Sequence, residues 1–219
     1  MSVFLQREID KLKKSLLSLC ALVEEQVQLA VQAALNRDEA MAREIKERDL
    51  QIDHLEVELE EECLKTLALH QPVAADLRLI IAALKINNDL ERIGDLAVNI
   101  ARKAASLAAE PPVDITFDLA QMCSKTQAML RDSLDALVNL DQDLAHSVCA
   151  RDDEIDAMKH AFRVEIEERV QRNPENTKQY LRLMAISRNL ERVADLATNI
   201  AEDMIYLAGG KIIRHSEKD

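Results

Sequence analysis

Four acidic pairs, Asp49/Asp53, Glu91/Asp95, Asp152/Asp156 and Glu191/Asp195, are the residues of this chain whose types and spacing suit chemistry. Positions i and i+4 lie on one face of a helix. Each pair therefore sets two like charges side by side and destabilises its helix by roughly a few tenths of a kcal/mol unless something neutralises it. A multivalent cation does so. All-oxygen ligation suits ferric iron, manganese, magnesium or calcium, whereas isolated tight zinc sites usually recruit His or Cys. A solvated acidic face is the ordinary meaning of charge on a long helix. The choice between the two readings turns on whether the acids are repeated and whether they can meet.

They are repeated. The segment Leu90–Ala101, LERIGDLAVNIA, returns one hundred residues later as Leu190–Ala201, LERVADLATNIA, with nine of twelve positions identical. A duplicated core needs only its apolar residues again, yet Glu91, Asp95 and Asn99 reappear as Glu191, Asp195 and Asn199. Arg92 and Arg192 also repeat. Local salt bridges with neighbouring acids account for them at little gain in stability, and a role in holding phosphate through a metal is the sharper alternative. Glu56 and Glu60 extend the first acidic line, but Lys159 and Arg163 replace them in the second copy, so they read as solvated charges or as a modifier of one site. His54 aligns with Ala157 and His146 with Arg43, and the His residues read as surface or bundle-edge positions.

The elements that must position these acids are helices. Asn36-Arg37-Asp38 and Asn139-Leu140-Asp141 occupy equivalent positions, each offering an Asp to cap the next helix. His70-Gln71-Pro72 and Asn173-Pro174 mark the following turn in each copy, because proline suits a first helical turn and disfavours helix in the residue before it. Glu110-Pro111-Pro112-Val113 separates the copies. This punctuation predicts helices over 3–36, 38–70, 73–108, 114–139, 141–172 and 176–208. In the third, Ile86, Leu90, Ile93, Ala97, Ile100, Ala104 and Leu107 alternate steps of four and three, as a bundle seam does, and Ile186 to Leu207 repeat the pattern. The fold class is all-α, with six long helices as two tandem antiparallel three-helix bundles related by internal duplication, one over 1–110 and the other over 111–219.

An antiparallel hairpin brings the acids to one level. Asp53 faces Glu91 and Asp49 faces Asp95 about the same mirror point, Pro72; Asp156 faces Glu191 and Asp152 faces Asp195 about a point between Asn173 and Pro174. Both turns fall where the acids need them. Glu91, Asp95 and Asn99 lie off the buried seam, on a second line through Leu77, Ile81, Leu84 and Asn88 that begins apolar and ends acidic, which predicts a groove on the outside of the bundle. The expected metal ligands are Asp49, Asp53, Glu91, Asp95 and Asn99 in the first copy, and Asp152, Asp156, Glu191, Asp195 and Asn199 in the second.

Composition narrows the function classes. Three Gly, four Pro and 2% aromatic residues in 219 suit long packed helices. A net charge of −12, with no aromatic stacking platform, disfavours nucleic acid as a partner. The longest apolar stretches fall far short of the ~20 residues a membrane span needs, and charges at Arg7, Glu8 and Asp10 argue against a signal peptide. A soluble, cytoplasmic protein is expected. Cys20, Cys63, Cys123 and Cys149 form no CxxC pair and read as reduced core thiols. Phosphate loops, nucleophile elbows and Ser/His/Asp groupings do not occur.

Two copies of [E/D]xxxD on three-helix bundles, with the run Gln71 to Arg78 (QPVAADLR) leading into Leu84 to Asp95 (LKINNDLERIGD), resemble the PhoU family of accessory regulators of bacterial phosphate-specific transport. The similarity covers essentially the whole chain. It implies a six-helix fold and surface clusters of multivalent metal ions (iron, manganese, magnesium or zinc) on the acidic motifs, multinuclear in some members. It also implies self-association as a homodimer. The implied role is negative regulation of the phosphate-starvation response and of phosphate uptake, between a phosphate ABC transporter, through its ATPase subunit, and a phosphate-sensing histidine kinase at the inner membrane. The second copy departs from the pattern at its turn, reading NPENTKQYLR over Asn173 to Arg182. Two rival functions remain: a carboxylate-bridged metal-dependent oxidase, for which the chain lacks the Glu-x-x-His pairs such enzymes use, and a purely structural helical module.

Overall fold

A computed structural model describes residues 3–209. Its six long helices are α1 (Val3–Asn36), α2 (Glu39–His70), α3 (Ala74–Ala108), α4 (Leu119–Asn139), α5 (Gln142–Arg172) and α6 (Thr177–Gly209), with a short 3₁₀ turn at Pro174–Asn176 before the last. The helices α1–α3 pack on one another as one bundle and α4–α6 as another. Equivalent chemistry makes equivalent turns. Helices α1 and α4 end on left-handed residues, Arg37 at φ 55° and Leu140 at φ 54°. Behind them the N–H groups of Asp38 and Asp141 return to the carbonyls of Ala33 and Ala136, a Schellman closure built without glycine. Asp38 then caps α2 by accepting from the N–H groups of Ala40 and Met41, and Asp141 caps α5 by accepting from that of Leu144.

One boundary differs from expectation. Helix α4 begins at Leu119 rather than at 114, because the segment before it is held against α5. Glu165 accepts hydrogen bonds from the Thr116 N–H at 2.6 Å and hydroxyl at 2.8 Å, Arg169 pairs with Asp114 at 2.8 Å, and the Phe117 ring stacks on Phe162 with centroids 4.4 Å apart. Asp118 is the cap, accepting from the Gln121 N–H at 2.9 Å.

The two bundles share one continuous apolar core, from Leu12 in α1 to Ile205 in α6, joined chiefly by α3 packing on α6. The contacts Lys85–Asp203 at 3.4 Å and Arg182 to the Ser106 carbonyl at 3.2 Å show that these helices run antiparallel. Both contacts place the crossing level at Gly94 and Ala194. Each residue sits between the two acids of its motif, so both acidic clusters lie at mid-height of the molecule. Among the described residues no helix is long and apolar enough to cross a membrane. The four cysteines are free thiols, and burial pushes Cys20, Cys63 and Cys123 up to about 12, which leaves them protonated and inert at neutral pH.

Candidate metal centre

Helices α2 and α3 bring the first four acids together. Ile52, buried under α3, orients α2 so that Asp49 is half-buried at the seam and Asp53 lies one turn on, toward solvent. From α3, Glu91 is half-buried and Asp95 exposed. Burial raises the Glu91 carboxyl above its ordinary range, and the negative charges of Asp95, Glu56, Asp53 and Asp49 raise it further. Burial also raises Asp49, reinforced by Asp53 and Asp95 and opposed by a hydrogen bond from Gln26. The sites predicted from mirror positions thus fall within one electrostatic neighbourhood. Glu56 belongs to it as well: burial, Glu60 and Asp53 push its carboxyl up.

The second cluster repeats the backbone arrangement with different partners. Burial, Glu191, Asp152 and Asp156 together push Asp195 up to about 6, against the lowering influence of Lys159. The Lys159 ammonium bridges Glu191 Oε1 at 2.5 Å and Asp156 Oδ1 at 3.3 Å. Asp152 Oδ1 accepts from the Thr198 hydroxyl at 3.3 Å. A cleft of about 430 Å³ beside this cluster is lined by Lys159, Arg163, Arg188, Glu191 and Arg192.

The helical repeat carries into alignment with known proteins. A family model described as PhoU domain matches residues 16–104 and again 119–204, segments that fall on α1–α3 and α4–α6. The chain belongs to the PhoU family. It is similar to the phosphate-specific transport system accessory protein PhoU homolog of Pseudomonas putida, 38% identical over 95% of this chain and 82% of that protein. The corresponding homolog of Aquifex aeolicus is 37% identical, over 95% of each chain. Among solved structures, PhoU from Pseudomonas aeruginosa matches with a TM-score of 0.92 at 37% identity, over 94% of this chain and 99% of that one. The phosphate transport system regulatory protein PhoU from Streptococcus pneumoniae matches at 0.87 and 31% identity, over 95% and 99%.

Within this PhoU fold the amides divide. Asn99 is half-buried one turn beyond Asp95, while Asn199 lines a separate cleft of about 430 Å³ with Lys85, Asn88, Asp89 and Arg92 of α3. Arg92 makes the local salt bridge expected of it, to Asp89 at 3.4 Å. Three contributors escaped the sequence reading: Gln26, Asn87 and Gly94. Gln26, 1% exposed, donates from Nε2 to Asp49 Oδ1 at 2.7 Å and to the Gly94 carbonyl at 3.3 Å. Asn87, 1% exposed, donates from Nδ2 to the carbonyl of Glu56 at 2.9 Å and to its carboxylate at 3.2 Å. Gly94 lacks a Cβ where one would stand 3.3 Å from Asp49 Oδ1. A Gln in α1 aligned with an apolar residue of the second copy, Met129, was the available signal.

A cation fits the first cluster on its chemistry. The side-chain carbonyl oxygens of Gln26 and Asn87 are buried without a hydrogen-bond partner, and turning either amide over would instead set oxygen against carboxylate oxygen. Hard-cation ligation draws on carboxylate and amide oxygens of this kind. As the side chains stand, no three His, Cys, Asp or Glu among the described residues are gathered tightly enough to cage an ion.

Proposed function

We propose that the chain is a non-catalytic regulator of phosphate-specific transport, a metal-bearing adaptor between the ATPase subunit of a phosphate ABC transporter and a phosphate-sensing histidine kinase. It holds the phosphate-starvation response and phosphate uptake down when phosphate is plentiful. Family membership supports the link to phosphate transport, since relatives across 95% of the chain are phosphate-specific transport accessory proteins. The observation that carries the metal reading is that two adjacent helices of each copy present two acids apiece at one level, with Asp49 and Glu91 of the first copy half-buried among them.

Asp49, Asp53, Glu91 and Asp95, with Asn99 beyond them, are the ligands of the first site, and Asp152, Asp156, Glu191, Asp195 and Asn199 those expected of the second. A multivalent ion held by these residues would supply positive charge that cancels the repulsion among the acids and attracts an oxygen anion. The chain's own residues fix the ligands on rigid helices and keep them on an outward face. In this reading the protein works in the cytoplasm, as a homodimer, and reaches the membrane only through its partners.

Deleting the gene in a host that carries the transporter and kinase tests the regulatory role. A phosphate-starvation reporter should then stay on in phosphate-rich medium. A reporter that remained repressed would overturn the proposal.

A further inference from the structure

The duplication supplies an internal comparison, and the two clusters differ at several positions around their shared acids. Where the first copy has Glu56, the second has Lys159. Where it has Gln26, with an unpartnered carbonyl oxygen beside Asp49, the second has the apolar Met129, 1% exposed. Asn87, the other orphaned carbonyl, is replaced by Ser187, whose hydroxyl donates to Met122 Sδ at 3.4 Å. Gly94, which leaves room at Asp49, is replaced by Ala194.

Met129 removes an oxygen, Ala194 removes space and Lys159 adds positive charge at the second cluster, while Ser187 turns its hydroxyl to Met122 and Thr198, in place of Val98, donates to Asp152 at 3.3 Å. The ammonium of Lys159 touches two of the four carboxylates there, Glu191 at 2.5 Å and Asp156 at 3.3 Å. An incoming ion must compete with a tethered cation for the same oxygens and, once bound, face its charge at short range. Among the described residues no Lys or Arg pairs with an acid of the first cluster, and the donor on Asp49 is the neutral amide of Gln26.

We infer that the two clusters are not equivalent: the first, at Asp49, Asp53, Glu56, Glu91 and Asp95, takes a divalent cation from solution, and the second is closed to it by Lys159 as an internal counter-cation. This rests on the metal-binding reading above and assigns it to one half of the molecule. Lys159 thereby becomes the residue that fixes the metal content of the chain.

Manganese(II) titrated into the chelator-stripped full-length protein, followed by calorimetry and by the electron paramagnetic resonance of the bound ion, tests the assignment. D49N/D95N should abolish the tightest uptake, while D152N/D195N should leave it intact. K159E, which copies the first cluster, and K159M, which only removes the ammonium, should each raise affinity at the second cluster by roughly tenfold or more, the range that neighbours of metal ligands command. The added uptake should disappear again with D195N. Equal loss from the two double variants would overturn the asymmetry while leaving metal binding established. So would unchanged uptake in K159E and K159M that retain wild-type helicity by circular dichroism. Uptake by wild type no tighter than by D49N/D95N would instead defeat the metal reading and this inference with it. If neither Lys159 variant folds, the two double variants decide between these outcomes alone.

Discussion

Gln26 in α1 donates to Asp49 in α2 at 2.7 Å while its own carbonyl oxygen stays buried without a partner. A hydrogen bond to a charged group is worth about 1.5–3 kcal/mol, and an unsatisfied buried acceptor costs about 1–3 kcal/mol, so in the metal-free protein the two effects nearly cancel. Gln26 is therefore poorly explained by stability alone and well explained by keeping Asp49 ionised and aimed.

Replacing it separates the two roles. Gln26→Met, the residue of the second copy, should change the unfolding free energy of the metal-free protein by about 1 kcal/mol or less, because a lost hydrogen bond is offset by a removed orphan. Manganese affinity should fall by roughly tenfold, as for other partners that orient a ligand. Denaturant unfolding and calorimetry report the two quantities independently.

Glu165 anchors the segment between the copies. Burial alone pushes its carboxyl up, but the N–H and hydroxyl of Thr116, the N–H of Phe117 and the charge of Arg169 outweigh it and hold the group below its ordinary value. Asp114, paired with the same Arg169, is the other charge at this junction. A depressed folded-state value means that the stabilisation is present above the unfolded-state value and is lost as pH falls through the folded one. Glu165→Gln should therefore cost about 1–2 kcal/mol at neutral pH, and its difference from wild type should shrink below about pH 4.5. Urea midpoints across that range check the sign.

Asp118 is the third case. Its carboxylate caps α4 through the Gln121 N–H, so Asp118→Ala should destabilise the protein by about 1 kcal/mol, while Asp114→Ala, at an exposed ion pair, should lie within about 0.5 kcal/mol of wild type. A helix starting at 114 predicts the opposite ranking.

That boundary shows what the sequence carried and what it did not. The periodic seams of α3 and α6, the Asp caps and the Pro turns made the six helices and the level of the acids legible, since each depends on local pattern. The expected start at 114 rests only on the break at Glu110-Pro111-Pro112-Val113. What demotes it is tertiary: Glu165 and Phe162, some fifty residues away, hold the strand of chain between. The same distinction governs the site. Acids on α2 and α3 could be matched by reflection about Pro72, whereas Gln26 reaches them from α1, a helix with no motif, through packing that no spacing rule encodes.

Because α3 meets α6 antiparallel about Gly94 and Ala194, the halves are related by an approximate two-fold axis, and this predicts how one half behaves alone. A fragment of residues 1–110 keeps α1–α3 and the whole first cluster, so it should be helical and bind manganese. It also exposes the apolar face of α3 that α6 covers, and a lone three-helix unit of this size buries proportionately less surface. The symmetric remedy is a second copy of α3 in the place of α6. Sedimentation of the fragment should therefore show concentration-dependent dimers that unfold at lower urea than the full chain. In the deletion strain the fragment should fail to restore repression, because the Lys159-bearing half is absent. A monomeric fragment as stable as the parent would mean that the shared core adds nothing, and full repression by the fragment would mean that the second copy is dispensable for signalling.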